Sequence, residues 1–162
     1  MHSRAARPGD AEAIARIYNE GIEERIATFE TRPRAGGDIR EWFDGGNPIV
    51  VVEEGGAVIS FANTSAYSSR QCYSGVAEFS VYTAREARGL GAGALAMEAL
   101  ISAAERAGFW KLTSRVFVEN GPSRKLLLSL DFREVGVHEK HARLDGEWRD
   151  VVVVERLIPA NL

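Results

Sequence analysis

The sequence predicts a single mixed α/β domain, and three observations support that fold class. The chain has 162 residues, a length that one hydrophobic core accommodates. Hydrophobic residues make up 45% and charged residues 27%, an ordinary balance for a globular protein. Segments with strand-like alternation interleave with segments of helical period, in the order β-α-α-β-β-β-α-β-α-β-β. No linker or repeat divides the chain, so residues 1–162 are expected to form one domain.

The first half is predicted to contain four strands and two helices, with boundaries marked by proline, glycine and aspartate. Asp10 is a plausible helix cap, and a Glu54-Gly55-Gly56 turn indicates a hairpin. Two exposed loops are expected at 26–34 and 67–74. In chain order, the elements are a strand at 3–7, helices at 10–22 and 37–43, and strands at 49–53, 58–66 and 76–82.

The second half is predicted to contain two helices and three strands. Asn120 is a candidate cap for the second helix, and Pro122 suits its first turn. The turn Leu144-Asp145-Gly146-Glu147 predicts a final hairpin. In chain order, the elements are a helix at 94–107, a strand at 110–118, a helix at 120–130, and strands at 132–143 and 148–157.

The strand at 76–82 leads into a turn with alternating glycines at Gly89, Gly91 and Gly93, directly before a helix. Unsatisfied backbone N–H groups and the positive end of the helix dipole meet at such a turn. Glycines let a phosphate approach the backbone closely, and Arg88 adds a positive charge. The turn therefore predicts a site for a phosphate-bearing ligand.

Two phosphate-binding motifs fit this turn. Gly89-x-Gly91-x-x-Ala94 fits the dinucleotide-binding Rossmann fingerprint, whereas Arg88-x-x-Gly91-x-Gly93 fits the pyrophosphate loop of the GNAT N-acetyltransferases. The Rossmann motif follows the first strand of its unit and needs an acidic residue about 20 residues later. Here the turn is in mid-chain, and the next strand has no acid before Glu119. The surroundings therefore favour acetyl-CoA.

The chain resembles the GNAT fold over nearly its whole length, and it is most similar to the phosphinothricin and arsinothricin N-acetyltransferase branch. The resemblance implies a mixed, mostly antiparallel central sheet flanked by helices. It also implies acetylation of the α-amino group of small amino-acid antibiotics that mimic glutamate. The matching segments are Ile17-Tyr18-Asn19, Thr28-Phe29-Glu30-Thr31, Arg70-x-Cys72-Tyr73, residues 76–82, the glycine turn, Asn120-x-x-Ser123 and Gly146-x-Trp148-x-Asp150-Val151.

The sequence departs from that family at several positions. Many members have a tyrosine, thought to protonate the departing thiolate, where this chain has Leu127. The usual Gly-Phe at the end of the same helix is Asp131-Phe132. Relatives also carry extra arginines where this chain has Ser68 and Ser74, which bears on the acceptor more than on the reaction.

The resemblance assigns roles around the central strand. Glu78 occupies the family's position for the general base, although a strand glutamate is more often simply solvent-facing. Backbone N–H groups near Val81 and Tyr82 are expected to stabilise the oxyanion at a β-bulge. The further residues expected to bind acetyl-CoA are Thr83, Arg88, Gly89, Leu90, Gly91, Ala92, Gly93, Ala94, Asn120 and Ser123.

Phe29, Arg70 and Tyr73 are the candidates for the acceptor site. Arginine binds anionic groups in a bidentate manner and aromatic rings can wall a side chain, but a loop charge and a core plug are equally simple interpretations. Other chemistry-bearing residues are expected to be structural. Cys72 is predicted to be a small buried residue, and Trp42, Trp110 and Trp148 to pack in the core or at an interface. His138 and His141 lack partners at ligand spacing, so no metal site is expected.

Bulk properties limit the partners. A net charge of −3 and the absence of a long apolar run suggest neither nucleic acid nor a membrane. The N-terminus lacks a signal-peptide core and there is a single cysteine, so a cytoplasmic protein is expected, as a homodimer. Acceptors that stay open are methionine sulfoximine or sulfone, a polyamine, an aminoglycoside and a protein N-terminus. A non-catalytic acyl-CoA-binding module and a dinucleotide-dependent oxidoreductase are the alternatives from other classes.

Overall fold

The computed structural model describes residues 1–162 and contains one seven-stranded sheet with four α-helices. The strands are β1 (His2–Ala5), β2 (Ile49–Glu54), β3 (Ala57–Ala66), β4 (Val76–Thr83), β5 (Lys111–Phe117), β6 (Arg133–Leu144) and β7 (Glu147–Leu157). The helices are α1 (Ala11–Glu24), α2 (Gly36–Arg40), α3 (Ala92–Arg106) and α4 (Gly121–Ser129). Short 3₁₀ turns lie at Pro8–Asp10, Glu41–Phe43, Gln71–Tyr73, Arg85–Ala87 and Pro159–Asn161.

The strand order is β1-β2-β3-β4-β5-β7-β6, and every neighbouring pair is antiparallel except β4 and β5. The predicted fold class and element order are therefore confirmed. Element ends differ slightly, as expected from local signals alone: α3 begins at Ala92 rather than at Ala94, and the predicted second helix is α2 followed by a 3₁₀ turn.

The parallel pair is short, and this opens the sheet. β4 and β5 pair only from Val76↔Lys111 to Glu78↔Thr113. On its other side β4 stays paired with β3 as far as Thr83. Beyond Glu78, β4 therefore has a strand partner on one side only, and a gap lies between β4 and β5.

The helices cover both faces of the sheet. Because side chains alternate along β4, the neighbouring residues Tyr82 and Thr83 contact helices on opposite faces. The ring of Tyr82 lies 5.1 Å from the ring of Tyr18 on α1, and α2 packs against α1. On the opposite face, a Cβ atom built on Gly93 of α3 would lie 3.3 Å from Thr83 Oγ1 and 3.4 Å from Leu126 of α4. The core fills both interfaces, and its largest buried side chains include Phe61, Ile14, Ile17, Ile39, Met97, Leu100, Leu112 and Leu127.

The expectation that Cys72 is buried is wrong: it is exposed, because it lies in a 3₁₀ turn of the loop between β3 and β4. Trp148 is half-exposed on the β6–β7 hairpin, where its ring lies 4.4 Å from the guanidinium carbon of Arg143, so of its two expected positions the core is excluded and the interface stays a prediction. Trp42 packs as expected, with its ring 5.8 Å from that of Tyr18. None of the helices has the length and apolar character that crossing a bilayer requires.

Candidate active site

The glycine turn shapes one wall of a cavity of about 390 Å³. Gly89 and Gly91 have φ values of +77° and +89°, a region that side-chain-bearing residues rarely adopt. Nothing lies within 4 Å of a Cβ atom built on either residue, so the space in front of both glycines is open. Gly91 is the N-cap of α3, and its carbonyl accepts the first helical bond from Leu95. The free N–H groups of the first helical turn therefore face an open, glycine-lined space, which suits a phosphate.

Most of the residues predicted to bind the cofactor come together around this cavity. They are Val81, Tyr82, Thr83, Arg88, Gly89, Gly91, Ala92, Gly93, Ala94, Asn120 and Ser123. Leu90 does not line the cavity and is exposed. Six wall residues that the sequence did not indicate come from α1, the loop after it and α4, and they reach the turn only through tertiary packing: Gly21, Glu24, Ile26, Ala27, Pro122 and Leu126. A seventh, Ala87, immediately precedes Arg88 in the chain.

The charge at the mouth of the cavity is already paired. Arg88 donates from Nη1 to Glu24 Oε2 at 2.6 Å and from Nε to the carbonyl of Thr83 at 3.2 Å. The hydrogen bond from Arg88 lowers the pKa of the Glu24 carboxyl, and Arg85 adds to that effect. Glu24 is thus ionised at neutral pH and holds Arg88 beside the turn.

Asn120 caps α4, since its Oδ1 accepts from the backbone N–H of Ser123 at 3.3 Å. Asn120 therefore has the predicted role of a helix cap, and Asn120 and Ser123 both line the glycine-lined cavity. Leu127, one turn further along α4, is buried beside the gap between β4 and β5. Its apolar side chain supplies no proton donor there.

The gap exposes backbone donors of β4 without a β-bulge. The register of β3 and β4 is unbroken from Ser60↔Thr83 to Ala66↔Ala77, so the expected bulge is absent. The carbonyl of Phe79 instead accepts from Ser114 Oγ of β5 at 2.8 Å. Since the direction of backbone polar groups alternates along a strand, Val81 also directs its N–H towards β5, beyond the last strand pair. The divergence of the strands, not a bulge, leaves this donor free.

Glu78 lies on the other side of the gap, in a second cavity of about 350 Å³. Its side chain is 34% exposed and accepts a hydrogen bond from Arg115 Nη2 at 3.2 Å. A narrow cavity of about 60 Å³ lies in the gap and shares wall residues with both larger cavities. The polar and aromatic residues that line this cavity with Glu78 are Tyr18, Thr28, Phe29, Glu30, Ser65, Phe79, Ser80, Tyr82, Ser114, Arg115, Phe117 and His141.

Tyr82 faces both larger cavities and the gap between them. Burial raises the pKa of its phenol well above the ordinary value, and burial also raises the pKa of Tyr18. Both phenols therefore stay protonated and neutral at any physiological pH. The Tyr82 ring stacks on Phe61 at 5.5 Å and meets the Tyr18 ring edge-on at 5.1 Å, so Tyr82 is held in place between the two cavities.

The candidates for the acceptor site are only partly brought together. Phe29 lines the Glu78 cavity, with its ring 4.7 Å from that of Phe117. Arg70 and Tyr73 do not line it; the guanidinium carbon of Arg70 lies 5.7 Å from the Tyr73 ring, which packs edge-on against Tyr67. The β3–β4 loop folds onto its own aromatic side chains, so this chain does not direct Arg70 towards Glu78.

Arg115 and His141 are the cavity residues that sequence reasoning missed. Arg115 follows Thr113 by two positions on β5, and Thr113 is the parallel partner of Glu78, so the two charged side chains share a face. His141 lies at an irregular part of β6, with its Nε2 3.4 Å from Arg115 Nη1. The alternation of β5 was visible in the sequence, but the register that places Arg115 beside Glu78 was not.

No cluster of three or more His, Cys, Asp or Glu side chains with the geometry to hold a metal ion is found.

Comparisons with known proteins identify a family and a fold that this chain resembles. The sequence matches the Acetyltransferase (GNAT) family over residues 13–132. YwnH from Bacillus subtilis (strain 168) is 32% identical, and the match covers 96% of this chain and 98% of YwnH. An L-methionine sulfoximine/L-methionine sulfone acetyltransferase from Pseudomonas paraeruginosa (strain DSM 24068 / PA7) is 27% identical over 94% of this chain and 91% of its own. The crystal structure of a GNAT superfamily phosphinothricin acetyltransferase from Sinorhizobium meliloti, in complex with AcCoA, has a TM-score of 0.89 at 29% identity and covers 96% of this chain and 87% of that one.

Proposed function

The chain belongs to the GNAT acetyltransferase family, in its phosphinothricin acetyltransferase-like branch, and from that premise we propose that it acetylates the α-amino group of a small amino-acid-like acceptor. One observation supports this most directly. The glycine-lined cavity and the cavity of Glu78 lie on opposite sides of the gap between β4 and β5. A long co-substrate can enter from one side and a small amine from the other, so that their reactive groups meet in the gap.

The residues of the first cavity fit acetyl-CoA, which supplies an activated thioester acetyl group when it is bound. The N-terminal N–H groups of α3, approached over Gly89 and Gly91, suit the pyrophosphate, with Arg88 beside them. The extended gap towards Asn120 and Ser123 suits the narrow pantetheine arm. The free N–H of Val81 is then the donor for the carbonyl oxygen as it gains negative charge.

Glu78 is the proposed general base. The acceptor reaches the active site as an ammonium ion, and its amine must lose a proton before the nitrogen can form a bond to the acetyl carbon. Glu78 accepts that proton through a water molecule, and the nitrogen then forms its bond to the acetyl carbon. The C–S bond breaks to release the thiolate, and the nitrogen loses its second proton to solvent to give the neutral amide. Leu127 offers no proton to this thiolate, so the leaving group depends on solvent or on another part of the site.

Phosphinothricin- and arsinothricin-type acceptors, which mimic glutamate, are the first acceptors that we propose, and the activity would then be antibiotic resistance by detoxification. Arg115 and His141 next to Glu78 give the cavity the basic groups that anionic acceptors need. A second candidate is an amino acid with an uncharged polar side chain, such as methionine sulfoximine or methionine sulfone. It is favoured by the fact that Arg115 is the only lysine or arginine that lines this cavity.

Two wider expectations belong to the same proposal. The protein is proposed to be cytoplasmic, because the exposed free thiol of Cys72 suits a reducing compartment. It is also proposed to form a homodimer, because Val135, Val137 and Trp148 expose apolar surface on the hairpin at the sheet edge. Sedimentation at several protein concentrations tests the second point.

A panel of acceptors tests the function. The purified protein is incubated with acetyl-CoA and each acceptor in turn, and release of free CoA thiol is measured. The panel contains phosphinothricin, methionine sulfone, a polyamine, an aminoglycoside and a peptide N-terminus. Turnover of the first two supports the proposal. Turnover of the cationic amines alone would move the protein to another acceptor class, and acetyl-CoA binding without turnover of any amine would indicate a non-catalytic binding module.

A further inference from the structure

The geometry of the second cavity points to a role for Arg115: we propose that it binds the α-carboxylate of the acceptor, so that the Glu78–Arg115 pair selects α-amino acids over simple amines. This inference rests on the proposed N-acetyltransferase function and deepens it. Glu78 handles the amine, and Arg115 recognises the carboxylate attached to the same carbon atom.

The positions of the two side chains follow from the short parallel pairing. Glu78 is opposite Thr113, and Arg115 projects from the same face two residues further along β5. The Arg115 side chain is 50% exposed and Glu78 is 34% exposed, so both head groups remain accessible from the cavity. Glu78 lies at the last strand pair before the gap, and this places the two charges beside the point where β4 and β5 diverge.

The separation of the charges matches the charge pattern of an α-amino acid. Arg115 Nη2 and Glu78 Oε1 are 3.2 Å apart. The ammonium and carboxylate of an α-amino acid are likewise adjacent, because one carbon atom carries both. With the ammonium next to Glu78, the carboxylate falls next to the guanidinium, which binds carboxylates through two parallel N–H donors. A simple amine leaves the guanidinium without a new partner.

No other lysine or arginine lines the cavity and could bind a carboxylate in place of Arg115. Arg34 pairs at 3.0 Å with the wall residue Glu30 but does not line the cavity itself. Arg70, which the sequence suggested for an anionic group, lies outside the cavity. An acceptor carboxylate that enters with its amine next to Glu78 therefore meets one arginine.

His141 acts on Arg115 as a positioning residue. The pairing of β6 with β7 is interrupted between His138 and Ala142, and Lys140 within this interruption has a φ of +47°. Asp150 of β7 holds the displaced backbone, since its Oδ1 accepts from the Lys140 N–H at 2.7 Å. The displaced segment brings His141 Nε2 to 3.4 Å from Arg115 Nη1, while the other terminal nitrogen of the guanidinium contacts Glu78. The guanidinium is thus held between the two side chains.

A different role for Arg115 would give a different result. If it served only to orient Glu78, its loss would slow every acceptor to the same extent, because all amines need the same base. If it binds the α-carboxylate, acceptors that carry this group lose much more than acceptors that lack it. A matched pair of acceptors therefore separates the two roles: L-methionine sulfone and the amine that remains when its carboxylate is removed.

The experiment measures kcat/KM for both acceptors with the wild type, Arg115→Met and Arg115→Lys. Arg133→Met is the control, because Arg133 also pairs with a glutamate on a neighbouring strand, at 2.8 Å, but does not line the cavity. We expect the wild type to prefer the amino acid. Arg115→Met should lower kcat/KM for the amino acid by about 10- to 100-fold more than kcat/KM for the amine, chiefly through KM; any loss common to both acceptors reports the contact of Arg115 with Glu78. The loss in Arg115→Lys should lie between those of the wild type and Arg115→Met, because lysine keeps the charge but lacks the two parallel N–H donors. Thermal unfolding verifies that each variant is folded.

Other outcomes overturn the inference in distinguishable ways. An equal loss on both acceptors, or no loss on the amino acid, removes the carboxylate role of Arg115 and leaves the proposed function standing. A wild type that uses the amine as efficiently as the amino acid also contradicts it. A wild type that acetylates neither amino acids nor their amines overturns the proposed function itself, and the inference fails with it.

Discussion

Arg88 donates a 2.6 Å hydrogen bond to Glu24 across the mouth of the glycine-lined cavity. The cation that is expected to meet a phosphate is therefore already bound to a carboxylate of α1. Glu24 is ionised, since Arg88 lowers the pKa of its carboxyl, and it faces the same cavity. An entering pyrophosphate must compete with this carboxylate for Arg88 and approach its negative charge.

Replacing Glu24 with Gln should therefore tighten acetyl-CoA binding. The substitution removes a negative charge beside the phosphate site and releases Arg88, and at this partly exposed position we expect Kd to fall about 3- to 10-fold at low salt. Calorimetric titration with acetyl-CoA measures the change, which should fade as the salt concentration rises. Glu23→Gln is the matched control, because Glu23 pairs with Arg85 but does not line the cavity. Weaker binding by Glu24→Gln would mean instead that Glu24 is needed to orient Arg88.

The glycine turn gives a second prediction with an internal control. Gly91 has a φ of +89° and Gly56, in the β2–β3 hairpin, has a φ of +81°, and neither has an atom within 4 Å of a built Cβ. Alanine at either position should therefore cost a similar free energy of unfolding, about 1 kcal/mol. Only Gly91→Ala places a methyl group where the pyrophosphate is expected, so only this variant should lose acetyl-CoA affinity, by at least about 10-fold. Equal affinities in the two variants would place the phosphates elsewhere.

Local sequence signals were sufficient for the elements and for the glycine turn. The three glycines, the preceding β-branched strand and the following alanine-rich helix are contiguous, so their arrangement depends little on the rest of the chain. For the same reason, the Asn120 cap and the last hairpin could be predicted from a few neighbouring residues.

What the sequence could not supply was the register between distant segments. Arg115 contacts Glu78 only because β5 pairs with β4 over three residues and then diverges, and no local pattern encodes that length. The same divergence replaces the expected bulge as the source of a free donor at Val81. Arg70 shows the same limit: its residue type suits an anionic group, but in this structure it lies outside the Glu78 cavity, next to Tyr73, and its role as an acceptor residue stays a prediction.

A third prediction concerns stability at the edge of the sheet. Asp10 is only 9% exposed, and Arg4 binds its two carboxylate oxygens at 2.8 and 2.9 Å. The hydrogen bonds from Arg4 hold the pKa of the Asp10 carboxyl below its usual value. A carboxyl with a lowered folded-state pKa stabilises the fold fully above its unfolded pKa, about 4, and loses this contribution as the pH falls through the folded value.

Arg4→Met should therefore reduce the free energy of unfolding by about 2–3 kcal/mol at pH 7, because it removes the cation that binds the buried Asp10 carboxylate and also pairs with Glu53. The difference from the wild type should shrink as the pH falls below about 4, when Asp10 and Glu53, whose pKa Arg4 also lowers, take up protons. Urea unfolding at several pH values measures both effects. Arg40→Met removes an exposed pair with Glu12 and should change stability by less than about 1 kcal/mol. A difference that stays constant with pH would show that Arg4 acts through packing alone.

The interruption in β6 gives a fourth prediction. Asp150→Ala removes the acceptor for the Lys140 N–H and should release the segment that holds His141 beside Arg115. We expect KM for the amino-acid acceptor to rise about 3- to 10-fold with an unchanged Kd for acetyl-CoA, because the loss of one hydrogen bond at an exposed site is modest. Asp150→Asn keeps an oxygen acceptor and should behave like the wild type. If both variants lose the same activity, the charge of Asp150 matters rather than the bond that it accepts.

The last prediction concerns the general base. Glu78→Gln keeps the shape of the side chain and an oxygen that can accept from Arg115, but it cannot take up a proton. At neutral pH kcat should fall by about 100-fold or more, with an unchanged Kd for acetyl-CoA. The loss should shrink as the pH approaches the pKa of the acceptor's own ammonium group, because a deprotonated acceptor needs no base. Stopped-time assays of thiol release between pH 6.5 and 9.5 measure this convergence.

Glu54→Gln controls for the loss of a surface carboxylate, because Glu54 lies at the end of β2 and lines neither the glycine-lined cavity nor the Glu78 cavity. It should show wild-type rates. Full activity of Glu78→Gln at pH 7 would mean that another group, or solvent alone, removes the proton, and Glu78 would then serve only to hold Arg115 in the cavity.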